Sequence, residues 1–148
     1  VPVHRAGSGS KENESLVERA AVIHGIGSDI VEYARIESMW TRYGTRFAER
    51  VLSECELATL KPGLNAARFL AKRFAAKEAF SKAVGCGLRD PVSMRRISIT
   101  HDGLGKPALQ FDEVLRAHLA QLGINGHHLS ISDERSMIVA FVVLESGI

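Results

Sequence analysis

The segment RFAAKEAFSKAVG, residues 73–85, decides how the chain folds. Its apolar positions recur at helical spacing. They predict a long helix from about residue 65 to 84, ended by Gly85 as a C′ residue. Three charges, Lys77, Glu78 and Lys82, sit among four alanines and two phenylalanines, Phe74 and Phe80. Glu78 and Lys82 stand at i, i+4, the favourable order for a helix ion pair, worth about 0.3–0.5 kcal/mol at a surface. The alanines and phenylalanines suggest a helix packed on more than one side. A charge there is costly unless it meets a partner or a metal. On the segment alone a surface ion pair is the plainer reading, and a ligand site is the alternative.

Upstream of this helix, Pro62 and Gly63 are punctuation. SECE (53–56) has the Ser-x-x-Glu pattern of a capping box and starts a short helix. TRFAERVL (45–52) is a further short helix, separated by Gly44 from one at about 32–43 that spaces Ile36, Met39, Trp40 and Tyr43 helically. AVIHGIGSDIV (21–31) is β-branched and partly alternating, a strand whose Gly25 and Gly27 let another backbone or a ligand come close.

Downstream, RRISITHD (95–102) and ALQF (108–111) read as strands around the turn GLGKP. Residues 112–122 form an amphipathic helix around Val114, Leu115, Leu119 and Leu122. HHLSIS (127–132) and MIVAFVVLE (137–145) are strands joined at DERS, a hairpin. The order implies an α+β fold, an antiparallel sheet packed against a long central helix. Residues 1–20 carry GSGS and a polar run with little to bury. They read as a flexible extension or a cloning remnant, with the folded domain at 21–148.

With 148 residues, 45% hydrophobic and 24% charged, the chain suits one globular domain. No apolar run reaches the roughly 18 residues of a membrane span. The N-terminus lacks the apolar core of a signal peptide, so a cytoplasmic protein without membrane contact is expected. Cys55 and Cys86 have no metal-ligand spacing and read as reduced thiols. The net charge of +2 is unevenly placed: +7 over residues 61–96, against −2 before and −3 after. A basic middle segment predicts an anionic partner.

Asp29 ends an apolar run just after GIG. It reads either as a helix cap or as a carboxylate at a sheet edge, open to a ligand. Asp29 with Glu78 would suit Mg²⁺, which takes one or two carboxylates and completes its shell with water and phosphates.

GIGSDIVEYARIE (25–37) and RFAAKEAFSKAVGCGL (73–88) together resemble the two signature motifs of the holo-acyl carrier protein synthases, the short bacterial class of 4′-phosphopantetheinyl transferases. GKP (105–107) and LSISDERSMIVAFVVLE (129–145) are similar to that family's later segments. The resemblance covers about residues 21–148. It implies Mg²⁺-dependent transfer of the 4′-phosphopantetheine arm of coenzyme A to a serine of apo-acyl carrier protein, a step of fatty acid biosynthesis, releasing adenosine 3′,5′-bisphosphate. It puts Asp29 and Glu78 on the metal. Arg73, Lys77, Lys82, Gly85 and Lys106 fall around coenzyme A. Glu78 becomes the candidate base for the incoming serine, directly or through a metal-bound water. Arg35, Met39, Arg42, Arg46, Phe47 and Arg50, with Trp40 beside them, would dock the acidic carrier protein. A homotrimer with active sites between subunits is also implied. The chain departs from some members at Asp133, where they have a histidine. His127 and His128 read as strand-end surface residues.

Two other readings compete. A basic nucleotide- or nucleic-acid-binding module would exploit the +7 segment, but aromatic content is 6% and no nucleic-acid motif is present. A structural assembly subunit would use the central helix for packing alone.

Overall fold

In a computed structural model, residues 20–61 and 64–147 are described. The expected extension at 1–20 lies outside them except for Ala20, as do Pro62 and Gly63. Five helices and five strands follow in the order β1 (Val22–Glu32), α1 (Tyr33–Tyr43), α2 (Thr45–Val51), α3 (Glu54–Leu57), α4 (Ala66–Val84), β2 (Ile97–His101), β3 (Pro107–Phe111), α5 (Glu113–Gln121), β4 (Ile124–Asp133) and β5 (Met137–Ser146).

Local signals place most boundaries. Asn65 caps α4, its side chain accepting from the Arg68 N–H at 3.0 Å. Gly85 ends that helix with φ 101°, in the left-handed region. The capping box of α3 is complete: the Ser53 N–H donates to Glu56 Oε1 at 3.0 Å, and the Glu56 N–H to Ser53 Oγ at 3.4 Å. Gly44, at φ 54°, separates α1 from α2. Asp112 caps α5 by accepting from the Leu115 N–H. The strand expected from residue 95 starts later, because Met94–Arg96 form a 3₁₀ turn that leads into β2.

The sheets are both antiparallel. β1, β5 and β4 form one, in that order, and β2 with β3 forms a separate hairpin. The β4–β5 hairpin at DERS forms as expected, with Asp133 opposite Ile138. α4 lies across β1 and β5. Its Leu70, Ala71, Ala75, Ala76, Ala79 and Phe80 are fully buried, so the helix is enclosed on several sides, as its composition predicts.

Two glycines permit this contact. A Cβ on Gly27 would stand 1.9 Å from the Ala79 carbonyl oxygen, and one on Gly25 2.1 Å from that of Ala83. Glycine in the strand and alanine in the helix bring the two backbones together. Alternation along β1 then turns Gly25, Gly27, Asp29 and Val31 towards α4 and Ile26, Ser28 and Ile30 away from it.

Candidate active site

Asp29 lies inside β1, paired opposite Ala140, and so does not cap α1. The capping position of α1 belongs to Glu32, whose side chain makes no capping bond. Asp29 instead faces α4 on the edge where Glu78 and Lys82 emerge. Lys82 Nζ donates to the Ser28 carbonyl at 2.9 Å and to Asp29 Oδ1 at 3.2 Å. The Asp29 side chain is 16% exposed and that of Lys82 53%. Burial pushes the Glu78 carboxyl above its ordinary pKa, and the nearby Asp29 charge pushes the same way, opposed by Lys82 and Arg35. The i, i+4 partner of Glu78 is thus also the ion-pair partner of a residue more than fifty positions away in sequence.

Two carboxylates, of which Asp29 raises the proton affinity of Glu78, beside one lysine, suit a divalent cation that would relieve the repulsion. Two carboxylates and no soft donor favour Mg²⁺ with substrate oxygens in its shell. Among the described residues no group of three or more His, Cys, Asp or Glu converges on a metal position. Gly85 is exposed at the end of α4, beside the exposed thiol of Cys86.

Lys77 and Arg73 fall elsewhere. Successive helix residues diverge by 100°, which turns Lys77 into the interior. Its side chain is fully buried, and its ammonium donates to Glu56 Oε1 (2.5 Å), the Val51 carbonyl (2.7 Å) and the Met94 carbonyl (3.0 Å). All three donors are used, so the expectation that Lys77 reaches the phosphates is corrected: it has none left to offer. Burial lowers its pKa from 10.5 to about 8, against the pull of Glu56. Arg73, 12% exposed, packs its guanidinium over the Phe69 ring, 3.4 Å from the centroid, with Nε 3.2 Å from Glu56 Oε2. Its charge, with that of Lys72, helps to lower the pKa of His101 after burial does. Arg73 therefore looks towards Glu56 and β2, on a different face of α4 from Glu78, while Lys106 is exposed in the turn between β2 and β3.

The key residue missed by sequence reasoning is Glu56. It shows as a local cap, yet its carboxylate is the buried counterion of Lys77 and Arg73 and also accepts from the Ile99 N–H at 2.9 Å. Two basic residues at i, i+4 on an enclosed helix signal that a buried acid is needed, without saying which one.

The basic surface expected to dock a partner divides at Gly44. Met39, Tyr43, Arg46, Phe47 and Arg50 line a cavity of about 220 Å³, with Arg46 and Arg50 exposed. Arg42 extends over the Tyr43 ring. Arg35 is exposed near Glu78. Trp40 is not part of this cavity: it lines a separate groove with Tyr33, Glu37 and Leu60. Asp133 binds Arg68 and Lys72, tying the β4–β5 turn to α4. His127 is half-buried and accepts from the Leu109 N–H at 3.2 Å, while exposed His128 meets Glu145 at 3.0 Å.

The family model described as the 4′-phosphopantetheinyl transferase superfamily matches residues 25–138. A holo-[acyl-carrier-protein] synthase of Nitrosomonas europaea is 53% identical over 124 residues, covering 84% of this chain and 99% of that protein. The crystal structure of the Neisseria meningitidis holo-[acyl-carrier-protein] synthase is 46% identical, with a TM-score of 0.81, covering 84% of this chain and all of that one. A Bacillus anthracis holo-(acyl-carrier-protein) synthase, solved in complex with CoA (3′,5′-ADP), is 43% identical with a TM-score of 0.68, covering 84% of this chain and 97% of that one. By fold, motif and sequence identity, the chain belongs to the holo-acyl carrier protein synthases of the 4′-phosphopantetheinyl transferase superfamily.

Proposed function

We propose that Asp29, Glu78 and Lys82 form the catalytic edge at which 4′-phosphopantetheine passes from coenzyme A to a serine of apo-acyl carrier protein. The meeting of these three side chains from two distant segments carries this reading. Asp29 and Glu78 would hold Mg²⁺, which supplies charge neutralisation on the diphosphate when bound. Lys82, anchored by Ser28 and Asp29, keeps one N–H free to donate to a phosphate oxygen. The serine Oγ attacks the phosphorus that carries pantetheine, the bond from that phosphorus to the adenosine bisphosphate breaks, and the serine proton goes to Glu78. The raised pKa of Glu78, caused by burial and by the Asp29 charge, makes it a better base than an ordinary carboxylate.

Arg46, Arg50, Met39 and Phe47 provide a basic rim around an apolar recess, suited to a helix of an acidic carrier protein. Arg35, one turn before Met39 on α1, stands near Glu78. The outer face of the three-stranded sheet exposes Ile26, Ile30, Val139 and Phe141 in adjacent register. Such a contiguous apolar patch fits self-association, and a homotrimer would cover it. In such an assembly, Arg73 and Lys106 of one subunit would complete the catalytic edge of the next around coenzyme A. Residues 21–148 are the transferase domain. Among the described residues no helix is long and apolar enough to cross a membrane.

The test is mass spectrometry of apo-acyl carrier protein after incubation with the chain, coenzyme A and Mg²⁺, with an EDTA control. A gain of one phosphopantetheine that EDTA abolishes is expected. No gain with the protein folded and several carrier proteins tried, or a gain indifferent to EDTA, would overturn the assignment of the edge.

A further inference from the structure

Among the described residues, the buried polar side chains of Ser53, Glu56 and Lys77 take no direct part in that reaction. Glu56 is 4% exposed and reaches three elements. Its Oε1 accepts from the Ser53 backbone N–H and from Lys77 on α4, while Oε2 accepts from the Ile99 N–H of β2 and stands beside Arg73 Nε. Four-residue α3 could not hold a carboxylate in place alone, but here both oxygens are fixed by backbone amides from opposite sides.

The consequence falls on Arg73. A guanidinium is a planar fork, and its value in binding anions depends on its orientation. The plane is set by the Phe69 ring beneath it, and one Nη1 N–H is occupied by the Phe69 carbonyl at 3.3 Å. The edge bearing Nε is turned to Glu56 at 3.2 Å. This is an ion pair without an aligned N–H···O bond, and Nε has no other partner. Among the described residues Nη2 donates to no protein acceptor, so it is left for an anion. A loosely aligned pair of this kind can tighten when a ligand pulls on the opposite edge.

We propose that Glu56 is a positioning residue for coenzyme A: it orients the Arg73 guanidinium from behind and holds α4 against β2 through Lys77. This rests on the transferase reading and adds to it a residue that touches no substrate. Lys77 serves as the rigid half of the device. With three acceptors satisfied, it fixes Glu56 Oε1, so Oε2 has a single orientation to present to Arg73.

The experiment compares steady-state kinetics of the full chain with Glu56→Gln, with Arg73→Ala, and with both. Glu56→Gln is expected to raise KM for coenzyme A about tenfold, equivalent to about 1.4 kcal/mol. The kcat should change less than about threefold, and KM for acyl carrier protein should not change. In the Arg73→Ala background the same substitution should add nothing, because Glu56 acts through Arg73. If Glu56→Gln fails to fold because Lys77 is left buried without a counterion, Glu56→Gln with Lys77→Met removes both charges and is measured instead. An unchanged KM for coenzyme A, an equal rise in the Arg73→Ala background, or parallel loss of all parameters would each overturn the proposal. An inactive parent chain would sink the transferase reading itself, a distinguishable result.

Discussion

Replacing Gly27 with alanine tests how closely the site depends on the contact between β1 and α4. The added methyl would stand 1.9 Å from the Ala79 carbonyl oxygen and 2.7 Å from the Ala83 nitrogen. Both neighbours are helix backbone and cannot rotate aside. Restoring an ordinary 3.4 Å contact from 1.9 Å requires β1 to retreat by about 1.5 Å. The retreat would open voids along fully buried Ala79 and Ala83 and strain the pairing of β1 with β5. Overpacking a core by one methyl costs about 1–3 kcal/mol. A clash against backbone on this scale puts Gly27→Ala at about 3 kcal/mol or more. Asp29 rides on the same strand two residues further on, and an error of ~1 Å in placing a reacting group can cost about 10²-fold in rate. Chemical denaturation and transfer to apo-acyl carrier protein should therefore decline together. Gly103→Ala, where nothing lies within 4 Å of the new methyl, is the control and should change neither. A Gly27→Ala protein with an unaltered denaturation midpoint would refute the reasoning, since it would mean that the strand and helix are not in contact through their backbones.

Asp29→Asn should abolish Mg²⁺-dependent transfer with the denaturation midpoint nearly unchanged; near-normal turnover would remove Asp29 from the metal. Arg46→Glu should raise KM for acyl carrier protein about tenfold or more and leave KM for coenzyme A unchanged, an effect read best at low salt; equal loss for both substrates would mean misfolding instead. Lys77 has its pKa lowered on folding, so the unfolded chain binds its proton more tightly, and its part of the stability rises with pH between about 8 and 10.5. Denaturation across that range should show this slope in the parent and lose it in Lys77→Met, and identical slopes would contradict it. Deleting residues 1–20 should leave turnover unchanged, as their linker composition implies; a large loss would place them in the active fold.

Much of the architecture was legible because its signals are local. Gly44, Gly85, the Ser53–Glu56 box and the alternation around Gly25 and Gly27 act through neighbours a few residues apart, and all reappear in the fold. Asp29 and Glu78 stood out as carboxylates in unusual surroundings, and the motifs pointed to a family that the comparisons bear out. The faces of α4 were harder to read. Arg73, Lys77, Glu78 and Lys82 lie within ten residues, but their directions matter only once something is packed around them.

The sequence by itself determined the helices, the strands and the residue types available for chemistry, because caps, glycines and periodicity act over a few residues. Tertiary structure alone decided the partners. It joined β1 to β5, split off the β2–β3 hairpin and brought Asp29 to Lys82. It also gave Lys77 and Arg73 to Glu56, and sent Trp40 away from Met39 and Phe47. The physical reason is that a charge on an enclosed helix must find a counterion across the core. Which acid lies there depends on how layers stack, and local spacing does not encode that.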